Sequence, residues 1–399
     1  MPALPAHQFV PLTQTDNMNG LRSLLSRALP SSSSSSSTTS RMLRREVTQS
    51  RPVLTRLYQS AAPAPGLAGH HGLDPFQLTR PELQTLVQDI HRELDTEIHG
   101  DSEMREISKY YFDGQGKAIR PVIALCLGHA FNQHTGAGEE TAQNQRRVAI
   151  ISEMIHTASL VHDDVVDHAE TRRGKVSVNV KWNPLKSTMC GNYIVGVCSK
   201  IMAQIGDPRV IIVLSQVLSD LVNGEFQQLA QAKDDETERF EQYLSKSFNK
   251  TGSLMTYSCE ANAILSGATE EEIRAAYSYG RNIGVAFQLV DDLLDFVSSA
   301  DMLGKPAAND MKLGLATAPV LFASQEHEEL NKLISRRFSQ PGDVEQAFTW
   351  VLESGGLEKT RGLAKKHCDE AISALDGITD SKYKSALMGL CDKVLHRLN

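Results

Sequence analysis

The chain has 399 residues, 41% of them hydrophobic and 22% charged, with a formal net charge of −7. That length and apolar content suffice for a sizeable core, and no uninterrupted apolar run approaches the ~20 residues of a membrane-spanning helix. The charge is uneven: residues 1–70 carry Arg22, Arg27, Arg41, Arg44, Arg45, Arg51 and Arg56 against only Asp16 and Glu46, about +5, which leaves about −12 for the rest. So acidic a body is a poor candidate for phosphate-backbone recognition, and no nucleic-acid partner is expected.

The leader, residues 1–73, is also rich in Ser, Ala and Pro, with an unbroken serine run at Ser31–Ser37. Arg- and Ser-rich, acid-poor N-termini have the composition of organelle transit peptides, and "MNGLRSLLSRAL" can form a short basic amphipathic helix. A plain disordered tail has the same composition, and Met18 offers an alternative start. The folded part is expected over 74–399. There the sequence reads as helix after helix, at 75–98, 119–131, 145–167, 187–204, 208–231, 239–266, 270–297, 315–335, 343–353, 357–375 and 381–397. Apolar residues recur at three- and four-residue spacing, and breaks such as "GDP" at 206–208 separate the segments. "FNQHTGAGEETAQNQ" (131–145) reads as an exposed loop, and alternating strand patterns are absent, so the fold class is all-α. Cys126, Cys190, Cys198, Cys259, Cys368 and Cys391 show no CxxC spacing and read as small core residues in a reducing compartment.

Chemistry concentrates in a motif that occurs twice. In "SLVHDDVVDHAETRRG", Asp163 and Asp167 share a helix face, with Asp164 beside them. In "FQLVDDLLDF", Asp291, Asp292 and Asp295 repeat the spacing on a helix whose other residues are apolar. Ionised carboxylates on a largely buried helix are costly unless paired or metal-bound, and Mg²⁺ takes one or two carboxylates together with substrate phosphate. Cations accompany both copies. Arg172 and Arg173 follow the first, and "FDGQGKAIRP" sets glycines before Lys117 and Arg120. "NKTGS" brings Lys250 and Thr251, and "GKPAANDMKLG" brings Lys305 and Lys312. Guanidinium groups and glycine-loop N–H groups are suited to phosphate. The combination describes a diphosphate bridged by a divalent cation.

These segments, in this order and at these separations, resemble the trans-polyprenyl diphosphate synthases, over about residue 80 to the C-terminus. The likeness is strongest to the catalytic subunit (subunit 1) of mitochondrial decaprenyl and solanesyl synthases, which make the ubiquinone side chain. The resemblance implies an isoprenoid synthase-type helical bundle around a deep central cavity. It further implies Mg²⁺ held by Asp163, Asp167 and Asp291, supported by Asp164, Asp292 and Asp295. Arg172, Lys250, Thr251, Gln288 and Lys305 match the family's contacts to the allylic diphosphate. Lys117, Arg120, His156 and Arg173 match its contacts to isopentenyl diphosphate; taken alone, His156 reads as a satisfied, partly buried histidine. The implied reaction is Mg-assisted ionisation of an allylic primer (farnesyl or geranylgeranyl diphosphate) followed by attack of isopentenyl diphosphate.

Ala158 and Ser159 stand where short-chain members place aromatic blockers, so a long product is expected; ordinary helix packing would select the same small residues. Two positions depart from the family. Leu315 replaces a lysine, leaving one diphosphate contact missing or supplied by Lys312, and Asn192 replaces an aspartate, where it can still cap a helix. The resemblance also implies a homodimer or a hetero-oligomer with a second synthase subunit, in the mitochondrial matrix. So apolar a product implies peripheral inner-membrane contact for its release, although no segment marks it. A terpene cyclase or head-to-head synthase would not carry both triplets with the glycine loop. A phosphohydrolase built on His162-Asp163 would need further His ligands, and a non-catalytic partner subunit would be expected to have lost aspartates.

Overall fold

Glycine, proline and aspartate set the helix ends in the computed structural model, which describes residues 73–97, 101–301 and 308–398. The leader, apart from Leu73, and Lys305 lie outside these residues. The main helices are α1 (Arg80–Glu97), α2 (Ser102–Lys109), α3 (Ile119–Thr135), α4 (Glu139–Val166), α5 (Pro184–Ile205), α6 (Pro208–Leu229), α7 (Glu236–Ser247), α8 (Ser253–Leu265), α9 (Glu270–Asp301), α10 (Ala318–Ser324), α11 (Glu329–Ser335), α12 (Asp343–Glu353), α13 (Gly356–Ala374) and α14 (Lys382–Leu395). At "GDP", Gly206 ends α5 with φ +78°, the Asp207 side chain accepts the Arg209 N–H, and Pro208 opens α6 where its missing N–H costs nothing.

The bundle is arranged around α8, which packs on α3, α4, α6 and α9 and buries most of its residues. Asn262 of α8 is fully buried and donates to Ala124 O at 2.8 Å. Gln145 of α4 exchanges amide bonds with Asn132 of α3 (2.6 and 2.9 Å) and donates to Ser266 Oγ at 2.9 Å. Buried amides this well satisfied fix helix register as apolar contacts alone do not. All six cysteines are buried and unbridged, as expected. Among the described residues no helix is long and apolar enough to cross a membrane.

Several segments differ from the sequence expectation: the 75–98 helix is broken at Thr79, and Ser102–Lys109 is helical where no helix is expected. The 131–145 loop shrinks to the turn after Gly136 (φ +75°), because its polar residues are helix ends and solvated faces and Glu139 and Glu140 favour the start of α4. The 315–335 segment is two short helices, α10 and α11. The 239–266 helix is interrupted by a π-turn, Phe248–Gly252, where Lys250 and Thr251 sit. A two-residue-turn hairpin also forms, Thr171–Arg172 against Lys175–Val176, with Arg173 (φ 52°) and Gly174 (φ 75°) at its tip.

Candidate active site

The first aspartate triplet closes α4. Asp163 and Asp164 stand in its last turn and Asp167 caps it, its N–H donating to Asp163 O at 2.8 Å. Asp164 is fully buried: Tyr111 donates its hydroxyl to Oδ2 at 2.6 Å, and Arg172 donates Nε and Nη2 to Oδ1 at 2.8 and 2.6 Å. The hairpin turn explains this, because it folds the chain back so that Arg172 reaches the helix it follows. The neighbouring Arg173 lies against the glycine loop, where a Cβ on Gly116 would come within 2.9 Å of its guanidinium. Among the described residues Asp163 has no such clamp. Burial and the nearby Glu225 and Asp167 push its carboxyl up to about 7, against the pull of Lys250 and Arg172.

The second triplet lies on α9 and repeats the pattern. Asp292 is buried; Tyr243 of α7 donates to Oδ2 at 2.5 Å and Gln288 donates Nε2 to Oδ1 at 2.8 Å. Thr251 in turn donates its hydroxyl to Gln288 Oε1 at 2.7 Å, joining the π-turn to α9. Glycines permit this approach: a Cβ on Gly284 would fall 2.6 Å from Gly252 Cα, and one on Gly280 2.6 Å from Thr256 Cα. Asp291 remains half-exposed and meets Arg397 Nη2 at 3.0 Å. Asp295 accepts the backbone N–H groups of Asn309 and Asp310 at 3.1 and 3.2 Å. Burial and Asp295 hold the Asp310 carboxyl up, at about 6.

Cations link the two triplets. Lys250 pairs with Glu225 of α6 at 2.6 Å and donates to Gln228 at 3.0 Å, while its field reaches Asp163. Arg120, at the start of α3, lies within the fields of Glu153, Arg173 and Asp291, and burial lowers it to about 10. His156 is held well below its ordinary value by burial and then by Arg120, Arg173 and Arg172, so its imidazole is neutral. Burial pushes Glu153 up while Arg120 and Arg173 pull it back. Lys117 is exposed, three residues before Arg120. Ala158 is buried, and Ser159 is half-buried with its hydroxyl donated to His156 O at 2.9 Å. Asn192 sits exposed in the middle of α5 and caps nothing; Asn183 performs that task by accepting the Lys186 N–H at 3.0 Å. His162 is seated on Gly191, where a Cβ would approach Nε2 to 2.2 Å.

Tyr111, Tyr243, Glu153, Glu225, Gln228, Asp310 and Arg397 are not legible as site residues from spacing. Only Asp310, within the last motif, carried a signal, as a further carboxylate beside glycines and lysines.

The carboxylates fit a divalent oxygen-seeking cation. Asp163 and Asp310 carry raised pKa values partly because like charges crowd them, and a cation relieves that crowding. Among the described residues no three His, Cys, Asp or Glu side chains form a ready-made cage. Mg²⁺ needs none, since one or two carboxylates with water and substrate phosphate complete its octahedron.

Residues 101–351 match the polyprenyl synthetase family model. The human all trans-polyprenyl-diphosphate synthase is 45% identical over 356 residues, covering 88% of this chain and 85% of its own. A probable mitochondrial hexaprenyl pyrophosphate synthase of Neurospora crassa is 37% identical over 377 residues, with 83% of each chain covered. Among solved structures, a polyprenyl synthase from Caulobacter crescentus, complexed with calcium and isoprenyl diphosphate, has a TM-score of 0.70 at 28% identity, covering 82% of this chain and 97% of that one. Matched motifs, a shared helical fold and this extent of identity place the chain in the polyprenyl synthetase family, and it is a prenyl-transferring enzyme with the isoprenoid synthase helical fold.

Proposed function

We propose that this polyprenyl synthetase extends an allylic diphosphate by successive isopentenyl units to a long all-trans chain, the precursor of the ubiquinone side chain. One observation carries the reading. Each aspartate triplet has a member in the field of a basic group, Lys250 acting on Asp163 and Arg120 sharing a field with Asp291. That is the electrostatic requirement of two diphosphates, one bridged to carboxylates by metal and one bound by cations alone.

Asp163, Asp167 and Asp291 would hold Mg²⁺, which when bound supplies charge to the departing diphosphate. Arg172, Lys250, Thr251 and Gln288 face the allylic diphosphate, and Lys305 joins them in the matched motif. Lys117, Arg120, Arg173 and the neutral His156 bind isopentenyl diphosphate. As the allylic C–O bond breaks, its electron pair leaves with the diphosphate, and the lysine and arginine groups stabilise that charge. The double bond of isopentenyl diphosphate then attacks the allylic cation, and the proton lost passes to the released diphosphate. Asp164 and Asp292, each locked by a tyrosine, position their helices and do not contact substrate.

The Arg- and Ser-rich leader and the mitochondrial relative support residence in the mitochondrial matrix. Exposed apolar side chains on α5 (Leu185, Met189) and α6 (Ile212, Val222, Phe226, Leu229) support an oligomer, either a homodimer or a pair with a second synthase subunit.

The test is synthesis from farnesyl or geranylgeranyl diphosphate with labelled isopentenyl diphosphate and Mg²⁺. A ladder ending in a long product, abolished by EDTA and by Asp163→Ala, is expected. Silence both alone and with candidate second subunits would sink the reading.

A further inference from the structure

We propose that Lys246, on the last turn of α7, is a diphosphate contact at the second aspartate helix, supplying from α7 the cation that Leu315 does not. The inference rests on the prenyltransferase reading and extends it to a residue outside the motifs. Lys246 follows Tyr243, the donor to Asp292, and precedes Lys250 by one helical turn. Its ammonium lies 5.8 Å from the centroid of the Tyr243 ring. It lines a cleft together with Gln228, Tyr243, Leu315 and Arg337.

The charges around it are Asp292 and Asp310 from the second acidic region, and Glu225 and Lys250 from the side facing the first triplet. Yet Lys246 makes neither an ion pair nor a hydrogen bond among the described residues, whereas Lys250 makes both. A half-buried ammonium without a direct partner is costly, and an incoming anion removes that cost. Asp291, next to Asp292 on α9, is among the residues that would hold Mg²⁺, so the ammonium and the metal would serve one diphosphate.

Competing sources of this charge fit less well. Lys312 is exposed, and Leu315, half-buried in the same cleft, offers only carbon. Arg239 lines the cleft too, but its guanidinium is engaged with Lys233 O, Asp234 O and Asn331 Oδ1.

The experiment titrates the full chain with inorganic diphosphate in the presence of Mg²⁺ by calorimetry, a measurement that does not depend on turnover. Lys246→Met should weaken binding roughly 10- to 100-fold, the range for loss of one charged hydrogen bond. Lys246→Arg should stay near wild type, and Lys246→Met/Leu315→Lys should recover most of the loss. Where Lys246→Met loses helix content, Lys246→Gln keeps much of the stem over Tyr243 and removes only the charge. In turnover assays the allylic KM should rise while the KM for isopentenyl diphosphate holds, a split that a packing defect would not give. Equal diphosphate binding by wild type and the neutral variants overturns the inference. A wild-type chain that binds diphosphate but never elongates a primer would overturn the prenyltransferase reading instead.

Discussion

Tyr243 donates its hydroxyl to Asp292 at 2.5 Å, deep between α7 and α9. Tyr111 does the same for Asp164 of α4 at 2.6 Å. The middle aspartate of each triplet is thereby withdrawn from solvent and anchored. Its neighbours are more exposed: Asp163 and Asp295 are half-buried, Asp167 and Asp291 exposed.

The consequence separates the six aspartates. Tyr111→Phe leaves a buried carboxylate one donor short, at a cost of about 1.5–3 kcal/mol. Thermal unfolding should register that loss, while Mg²⁺-dependent synthesis falls only modestly. Asp163→Asn should leave the melting temperature near or above that of wild type, because it removes a half-buried charge crowded by Glu225 and Asp167. It should nevertheless lower kcat roughly 10²- to 10³-fold, as loss of a transition-state charge contact does. If both variants lost activity equally and stability not at all, the division between anchoring and ligating aspartates would be wrong.

A glycine makes the second prediction. Gly116→Ala puts a methyl 2.9 Å from the Arg173 guanidinium, the far end of a flexible side chain. The guanidinium moves aside cheaply, so folding should be unaffected. Isopentenyl diphosphate then loses a bidentate partner, and its KM should rise about tenfold while the allylic KM stays put. A shift in the allylic KM instead would place Arg173 on the other substrate.

How much of this was readable beforehand depends on the kind of residue. Helical periodicity exposed the bundle, and the repeated Asp-Asp-x-x-Asp exposed both acidic helices, because both signals are local. Tyr111 lies 53 residues from Asp164, and Tyr243 49 residues from Asp292. A tyrosine that far away in sequence carries no mark of its partner. The 131–145 segment misled for a different reason: its Asn, Gln and Glu residues cover helix faces, and polarity was read as absence of structure. The π-turn at Phe248–Gly252 left no trace, since its residues continue the apolar spacing on either side.

The third prediction concerns pH. Asp343 is almost wholly buried, paired with Arg336 and accepting the Gln340 N–H at 3.1 Å. The Arg336 hydrogen bond, set against burial, holds its carboxyl below the ordinary carboxylate value. A depressed folded-state pKa means that the stabilisation is complete above the unfolded value near 3.8 and fades as pH falls through the folded value. Asp343→Asn should therefore melt below wild type at pH 7, and the gap should close as the pH falls below 3.8 and through the folded value. A constant gap across that range would show that the substituted amide packs badly, with no linkage to the carboxyl's titration.

Product length supplies the last prediction. Ala158 and Ser159 precede Asp163 by about one helical turn, where a growing chain would pass beside α4. Their surroundings differ. Ala158 is 1% exposed within the core, so a phenyl ring there must displace packed neighbours, at a typical cost of about 1–3 kcal/mol. Ser159 is half-buried, and its hydroxyl satisfies only the His156 carbonyl of its own helix, so a ring can be accommodated by turning outward from the core. Both Ala158→Phe and Ser159→Phe should end elongation several isoprene units early, but Ala158→Phe should also lower the melting temperature by several degrees. Ser159→Ala removes one local hydrogen bond and blocks nothing, so it should give the wild-type product. Chromatographic sizing of the released alcohols decides between outcomes. If Ser159→Phe and Ala158→Phe both make a full-length chain, the product does not run beside this turn of α4, and the channel must leave the site along another helix.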